Sequence, residues 1–288
     1  MRERVGFVGL GLMGFAMAER LLGAGYRLSV YNRTSEKITP LERTGAVRCA
    51  TPSSVASRSD IVLSMLSTSE VLEDLSLSDG GILAGCRESS IHVDFSTVSP
   101  ALTQRLQERY VAKNCHFVHC PVLGSVPQAR DGKLLLFAGG KAEILQRISP
   151  LLATLGEEIW MFDRPELASH TKLLCNSFIA GMITTLAQAL VYSGRAGVNP
   201  EILLEILSHS ALNAPMYQTK GKSIIDGNFS PRFFLEHMLK DSHLILDSAE
   251  ELQVPMPGIV AARGIYEKAE QQGFGRADYS SVVKILKQ

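Results

Sequence analysis

The stretch Val5-Gly6-Phe7-Val8-Gly9-Leu10-Gly11-Leu12-Met13-Gly14 decides the fold of this chain. Three of its first four residues are β-branched or aromatic, which favours a short buried strand. Residues 13–22 have the amphipathic spacing of a helix. Because a G-x-G-x-x-G pattern lies between the two, the sequence predicts a strand, a tight turn and a helix that open a βαβ unit.

Each glycine of this pattern meets a separate physical requirement. Gly9 permits the tight turn, Gly11 lets the backbone approach a pyrophosphate, and Gly14 lets the helix pack closely on the strand. The N-terminus of the helix then offers backbone N–H groups to the anion. We therefore predict a dinucleotide cofactor here, and the alternative is a glycine-rich turn without a ligand. The residues expected to line the cofactor are Gly9, Leu10, Gly11, Leu12, Met13 and Gly14.

The second predicted strand ends in Asn32, Arg33 and Thr34. Asn32 follows the glycines by about 20 residues, where NAD-specific folds carry an acidic residue for the ribose 2′-hydroxyl. It has no charge that would repel a phosphate. The Arg33 guanidinium can bind a 2′-phosphate through two hydrogen bonds, with the Thr34 hydroxyl beside it. We predict NADP as the cofactor, and NAD stays possible if Arg33 is only a solvated surface arginine.

Strands alternate with helices over residues 1–162, and helices alone follow over residues 163–288. In the first part, strands are predicted at 5–8, 27–31, 61–65, 91–95, 117–118, 133–138 and 158–162, and helices at 13–22, 35–44, 100–111 and 142–155. In the second part, helices are predicted at 166–196, 200–208, 214–226, 232–253 and 257–272. This order predicts a doubly wound, mostly parallel α/β sheet, joined by a long helix to an all-α C-terminal domain.

The composition and net charge of the chain indicate which kinds of binding partner are expected. Hydrophobic residues make up 45% of the 288 residues and charged residues 20%, which is typical of a compact globule. Lys and Arg total 29, and so do Asp and Glu, so the formal net charge is zero. A chain without net charge has no overall field to attract phosphate backbones or anionic lipid. We therefore expect neither nucleic acid nor a membrane as a partner.

The cysteines and the hydropathy of the sequence indicate in which cellular compartment the protein is expected. The five cysteines are odd in number and form no C-x-x-C pair, which favours reduced thiols and a cytoplasmic location. The apolar run from Val5 is soon broken by glycines and lacks the layout of a signal peptide. The most apolar long stretch, residues 178–192, is shorter than the roughly 20 residues of a membrane span. A buried helix is expected there.

Lys172 and Asn176 are the residues best placed for chemistry in the second part. They are four positions apart on a predicted helix, so both project from one face. Leu173, Leu174 and Phe178 make the surroundings apolar. Burial would favour the neutral amine of Lys172, which suits proton transfer. The alternative is a lysine that extends its ammonium to solvent.

The segment Cys115-His116-x-x-His119-Cys120 has the residue types of a zinc site. On a strand, however, His116 and His119 point to opposite faces, and so do the two cysteines. They cannot converge on one ion without a sharp bend, so no metal site is predicted.

Several motifs in order resemble those of the β-hydroxyacid dehydrogenase family, which includes 3-hydroxyisobutyrate dehydrogenase and the glyoxylate and succinic semialdehyde reductases. The segments that carry the resemblance are the glycine-rich stretch 9–14, Asn32-Arg33-Thr34, Asp94-Phe95-Ser96-Thr97, Pro121-Val122-x-Gly124, Lys172-x-x-x-Asn176, Phe233 and Lys240-Asp241. The resemblance covers the whole chain. It implies a Rossmann-type first domain and hydride transfer between a nicotinamide and a small aldehyde, keto acid or hydroxyacid.

The resemblance also implies residue roles. Lys172 would be the general acid in reduction and the general base in oxidation, and Asn176 would orient the substrate and the lysine. Substrate binding is implied for Ser96, Thr97, Leu123, Gly124, Ser125, Phe233 and Asp241. Cofactor binding is implied for Met65, Leu66, Ser67, Thr97 and Lys240.

This chain departs from the family at the turn that would hold the substrate carboxylate. His119, Leu123 and Ser125 stand where the family commonly has Asp, Ser and Gly. Either Ser125 replaces the missing serine hydroxyl, or the substrate is less polar at this end.

The sequence leaves two other functions open. One is an imine reductase, which usually lacks this lysine. The other is a non-catalytic NADP-binding module, which tends to lose the lysine and to carry a basic tail. The long apolar helices need burial beyond one chain, which predicts a homodimer or homotetramer.

Overall fold

The computed structural model describes residues 3–287. It divides by packing into two compact units, one up to Lys172 and the other from Leu173. The division falls inside a long helix, whereas the sequence predicts a domain boundary between residues 162 and 163.

The first unit alternates strands and helices, as the sequence predicts. Its strands are β1 Val5–Val8, β2 Leu28–Tyr31, β3 Val47–Arg48, β4 Ile61–Ser64, β5 Ile91–Asp94, β6 His116–His119, β7 Val122–Leu123, β8 Leu134–Gly139 and β9 Gly156–Phe162. Its helices are α1 Leu12–Gly23, α2 Thr39–Glu42, α3 Pro52–Ala56, α4 Ser69–Leu77, α5 Ile82–Gly85, α6 Pro100–Val111, α7 Val126–Asp131 and α8 Ala142–Leu155.

These strands form one sheet in the order β3-β2-β1-β4-β5-β6-β8-β7, with β9 paired to β8. The strands from β3 to β6 in this order are parallel, and β8 is antiparallel to both β6 and β7. Phe7 and Val8 are consecutive in β1 and therefore point to opposite faces. Phe7 joins a core with residues of α1 and α8, and Val8 joins a core with Val55 of α3. The predicted doubly wound sheet is confirmed.

One predicted helix is divided. We expected a single helix over residues 35–44, but a 3₁₀ turn Ser35–Ile38 is followed by the short α2. Pro40 explains the break, because proline has no N–H to continue a helix and suits only its first turn.

The second unit is helical, which confirms the predicted all-α C-terminal part. A long helix, α9 Pro165–Arg195, runs from the first unit into the second. It is followed by α10 Pro200–Ser208, α11 Pro215–Ile225, α12 Leu235–Glu251, α13 Pro257–Gln271, a 3₁₀ turn Tyr279–Val282 and α14 Val283–Leu286. Helix α12 begins three residues later than predicted, because Phe234 forms a β-bridge with Asp278 and stays extended.

Only one face of α9 is buried. Ala180, Ile183 and Ala187 are fully buried, whereas Phe178 is 71% exposed and Tyr192 is 76% exposed. Among residues 3–287, α9 is the one helix long and apolar enough to cross a bilayer by length and composition, and 39% of its apolar window is buried. The expected buried helix over residues 178–192 is therefore buried along one side only.

Candidate active site

The glycine-rich loop between β1 and α1 has the geometry that its three glycines predict. Gly9 adopts a φ of +96°, and its N–H donates to the carbonyl of Tyr31 at 3.0 Å. A Cβ at Gly9 would overlap the Met65 carbonyl oxygen, and a Cβ at Gly14 would overlap the Gly9 carbonyl oxygen. These two positions therefore require glycine for the turn and for the close approach of α1.

Gly11 differs from its two neighbours because a Cβ there would have no atom within 4 Å. Gly11 begins α1 with extended backbone, and no described side chain caps this end of the helix. A side chain at Gly11 would thus meet open space at the end of α1 where the first-turn N–H groups carry the positive end of the helix dipole. This arrangement fits the pyrophosphate of a dinucleotide.

Asn32 ties the end of β2 to this loop. Its Oδ1 accepts the N–H of Leu10 at 2.8 Å, and its Nδ2 donates to the carbonyl of Thr34 at 2.8 Å. The Leu10 N–H is thereby committed to Asn32. Arg33 and Thr34 follow on the exposed surface. Asn32 thus holds the loop and the next residues in place, while Arg33 and Thr34 are accessible to a ligand.

A buried hydrogen-bond network lies at the ends of β4, β5 and β6. The hydroxyls of Ser64 and Ser96 donate to Asp94 Oδ1 at 2.6 and 2.7 Å, and the Ser96 N–H lies 3.2 Å from Asp94 Oδ2. Nδ1 of His119 is 3.3 Å from Asp94 Oδ2. The Ser64 hydroxyl also lies 2.8 Å from Nε2 of His92. Because that hydroxyl gives its proton to Asp94, His92 donates to it through Nε2.

Burial controls the charges of this network. Burial lowers the pKa of His92 to about 4, against the opposing attraction of the Asp94 carboxylate. Burial also works against ionisation of Asp94, but the adjacent His119, with His92 and the Ser64 hydroxyl, leaves the pKa of Asp94 below its usual value. At neutral pH the network therefore holds a neutral His92 and an ionised Asp94.

The end of β7 and the turn after it contain three predicted substrate residues, Leu123, Gly124 and Ser125. Gly124 has a φ of +138°, a conformation that favours glycine. The Ser125 hydroxyl donates to Oε1 of Gln128 at 2.9 Å, and the Ser125 N–H also lies 3.1 Å from that oxygen. The one hydroxyl proton of Ser125 is thus used at the start of α7. As placed, Ser125 does not offer the donor that the family serine would supply, and its substrate role stays a prediction.

Helix α9 carries Lys172 and Asn176 one turn apart. Lys172 is 8% exposed, so its expected burial is found, and Asn176 is 2% exposed. Nδ2 of Asn176 donates to Asp241 Oδ2 at 2.6 Å. Lys240 Nζ lies 2.9 Å from Asp241 Oδ1. The Asp241 carboxylate therefore contacts both Asn176 and Lys240 within the second unit.

Phe233 lies just before α12, the helix that carries Lys240 and Asp241. Its ring packs edge-on against His237 and Tyr279. The adjacent Asp278 is held by Lys220, whose Nζ lies 2.7 and 2.8 Å from the two carboxylate oxygens. The roles of Lys220 and Asp278 at this position were not predicted.

The two histidines of the segment Cys115–Cys120 lie in different surroundings. His119 is fully buried beside Asp94, whereas His116 is partly exposed at the start of β6. Within residues 3–287, no three His, Cys, Asp or Glu side chains are grouped so as to hold a metal ion.

Comparison with known proteins decides the family. The family model for the NAD-binding domain of 6-phosphogluconate dehydrogenase matches residues 4–162, and that for NADP-dependent 3-hydroxyisobutyrate dehydrogenase matches residues 167–286. Glyoxylate/succinic semialdehyde reductase 1 of Arabidopsis thaliana is 32% identical over 283 residues, which are 98% of each chain. The chain belongs to the β-hydroxyacid dehydrogenase family.

Two further relatives show how widely the family resemblance extends. The 2-(hydroxymethyl)glutarate dehydrogenase of Eubacterium barkeri is 30% identical over 99% of this chain and 95% of its own. The crystal structure of a 3-hydroxyisobutyrate dehydrogenase from Salmonella typhimurium matches with a TM-score of 0.90 and 26% identity, covering 99% and 100% of the two chains. The protein is an NAD(P)-dependent hydroxyacid dehydrogenase or reductase. The cofactor supplies or accepts the hydride in this chemistry.

Proposed function

We propose that this dehydrogenase uses NADPH to reduce a small aldehyde or keto acid to its hydroxyacid, with glyoxylate, succinic semialdehyde and the 3-hydroxyisobutyrate couple as the substrate class. The names of its relatives, which are reductases and dehydrogenases of short acids, support this class. The intact Lys172-x-x-x-Asn176 pair, buried on α9, is the observation that carries the proposal.

The choice of NADP rests on the end of β2. An acidic residue there would repel a 2′-phosphate, and this chain has the uncharged Asn32, whose side chain is committed to Leu10 and Thr34. The exposed guanidinium of Arg33 is available to bind the phosphate through two hydrogen bonds.

Lys172 acts in this proposal as the proton donor to the substrate oxygen during reduction and as the proton acceptor during oxidation. Reduction requires Lys172 as the ammonium, which donates a proton to the substrate oxygen, and oxidation requires the neutral amine, which accepts it. Asn176 is fixed by Asp241 and orients the substrate beside the lysine. Thr97 and the backbone N–H of Gly124 bind the carboxylate end of the substrate, since the hydroxyl and the N–H of Ser125 are committed to Gln128.

A substrate panel tests the proposal. Semialdehydes and 3-hydroxy acids of two to five carbons are assayed with NADPH/NADP and with NADH/NAD at equal concentrations. We expect turnover of at least one short acid, faster with the phosphorylated cofactor. If NADPH binds but no acid is turned over, the non-catalytic module is favoured, and turnover of imines alone would favour the imine reductase.

We further propose that the protein is a cytoplasmic homodimer or homotetramer. Among the described residues the cysteines form no disulfide, which agrees with a reducing compartment. Phe178, Tyr192 and Leu212 of the helical unit are each more than 70% exposed. Large apolar side chains at a surface favour contact with a second copy of the chain. Sedimentation velocity is expected to show a dimer or tetramer, and a monomer at all concentrations would contradict this.

A further inference from the structure

Ser96 is fully buried, and its hydroxyl has two partners. The hydroxyl proton goes to Asp94 Oδ1 at 2.7 Å, and the oxygen accepts the N–H of Leu66 at 2.8 Å. A hydroxyl has only one proton to donate. Ser96 therefore cannot donate to a substrate while this bond to Asp94 is present, although the family resemblance implies a substrate role for it.

The bond to Leu66 fixes a segment that borders the dinucleotide loop. Met65 donates its N–H to the carbonyl of Val8 at 3.0 Å, and its carbonyl oxygen lies against Gly9 so closely that no Cβ would fit there. Leu66 follows immediately and is held from the other side by Ser96. Met65 and Leu66 are thus anchored between β1 and the residues that follow β5.

Asp94 sets the orientation of the Ser96 hydroxyl. Its carboxylate is fully buried and is surrounded by Ser64, by both the N–H and the hydroxyl of Ser96, and by His119. A carboxylate with several donors is held firmly in one position, since hydrogen bonds to an ionised group are the strong ones. The path from Asp94 through Ser96 to Leu66 is consequently rigid.

We infer that Ser96 is a positioning residue for the coenzyme, which acts through the Leu66 N–H and is oriented by Asp94. The inference rests on the proposed function and on the coenzyme contacts that the family resemblance implies for Met65, Leu66 and Ser67. Loss of the hydroxyl would release Leu66 and let the segment move, so that coenzyme binding would have to order it again.

Two matched variants test this inference. Ser96→Ala and Ser64→Ala each remove one hydroxyl from Asp94 Oδ1, but only Ser96 contacts Leu66. We expect the NADPH Kd to rise about 3- to 10-fold in Ser96→Ala, as for loss of one hydrogen bond. In Ser64→Ala it should rise by less than about twofold. The lost activity of Ser96→Ala should return at saturating NADPH.

Three outcomes would overturn the inference: an unchanged NADPH Kd in Ser96→Ala, an equal rise in both variants, or a defect confined to the KM of the acid. Wild-type protein that fails to bind NADPH would instead contradict the proposed function.

If Ser96→Ala does not fold, amide hydrogen exchange of the wild-type protein gives a second test. The Leu66 N–H is bonded to a buried oxygen, so it should exchange slowly even without coenzyme. Rapid exchange of this amide would overturn the inference.

Discussion

Arg33 is the residue on which coenzyme choice depends in our account. It is exposed directly after Asn32, whose own side chain is bonded to the glycine loop and to Thr34. Because Asn32 is committed to these bonds, recognition of a 2′-phosphate is left to Arg33 and Thr34.

Arg33→Asp should reverse the preference from NADPH to NADH. The new carboxylate would repel the 2′-phosphate and could accept a hydrogen bond from a ribose 2′-hydroxyl. The ratio of kcat/KM for the two coenzymes measures this. Arg58→Asp, at another exposed arginine of the first unit, is the control and should leave the ratio unchanged. An unchanged NADPH preference in Arg33→Asp would refute the assignment.

Residue identity alone did not reveal what each hydroxyl contacts. The motif with Asp94, Ser96 and Thr97 was visible in the sequence, but one of the two bonds of the Ser96 hydroxyl joins it to Leu66, 30 positions away in the segment after β4. The same holds for Lys220 and Asp278, which are 58 positions apart. A buried carboxylate needs donors, yet the sequence does not show which distant residues supply them.

At the scale of elements, the glycines of the loop between β1 and α1 serve two purposes. Gly14 is needed for the packing of α1, and Gly11 is needed for the binding of the coenzyme in our account. Gly14 has the Gly9 carbonyl where a side chain would be, whereas Gly11 faces open space in front of α1.

Gly14→Ala and Gly11→Ala should therefore have different effects. Gly14→Ala should lower the free energy of unfolding by about 1–3 kcal/mol, because the added methyl overlaps a backbone oxygen. Gly11→Ala should keep the wild-type Tm but lose NADPH affinity, since its methyl would stand where the pyrophosphate approaches. Thermal unfolding and NADPH titration check both. Equal destabilisation, or full NADPH affinity in Gly11→Ala, would contradict this account.

Long elements with a clear period were predicted well, and short ones were missed. Helices α6, α8 and α10 have the predicted bounds. Helices α3 and α4 were missed, although Thr51 and Thr68 cap them and those caps could have been recognised. The two-residue strands β3 and β7 are too short to show a period, and pairing with β2 and β8 forms them.

At the scale of the whole molecule, the core of the first unit contains a neutral histidine, His92, and an ionised aspartate, Asp94. The pKa of His92 is lowered to about 4 by burial, while in an unfolded chain it would be near 6.5. Between these pH values the unfolded chain binds a proton that the folded chain does not. Stability is therefore full above pH 6.5 and falls as the pH decreases towards 4.

His92→Gln should reduce this loss of stability, because a glutamine amide can still donate to Ser64 but does not titrate. The wild type should lose roughly 3 kcal/mol more than the variant between pH 6.5 and pH 4. Denaturant unfolding of both proteins across this range measures the difference. The lowered pKa of Asp94 acts below this window, so the two effects are separable. Identical pH profiles would contradict the assignment to His92.

The central claim concerns Lys172, and kinetics of Lys172→Ala with parallel NADPH titration test it most directly. We expect kcat for the reduction of a short acid to fall by roughly 10²- to 10⁴-fold. The NADPH Kd should stay within about twofold of wild type, a change worth under 0.5 kcal/mol. Lys222→Ala, at an exposed lysine of the helical unit, should behave as wild type in both measurements. A Lys172→Ala protein that binds NADPH and reduces the acid as fast as wild type would contradict the account.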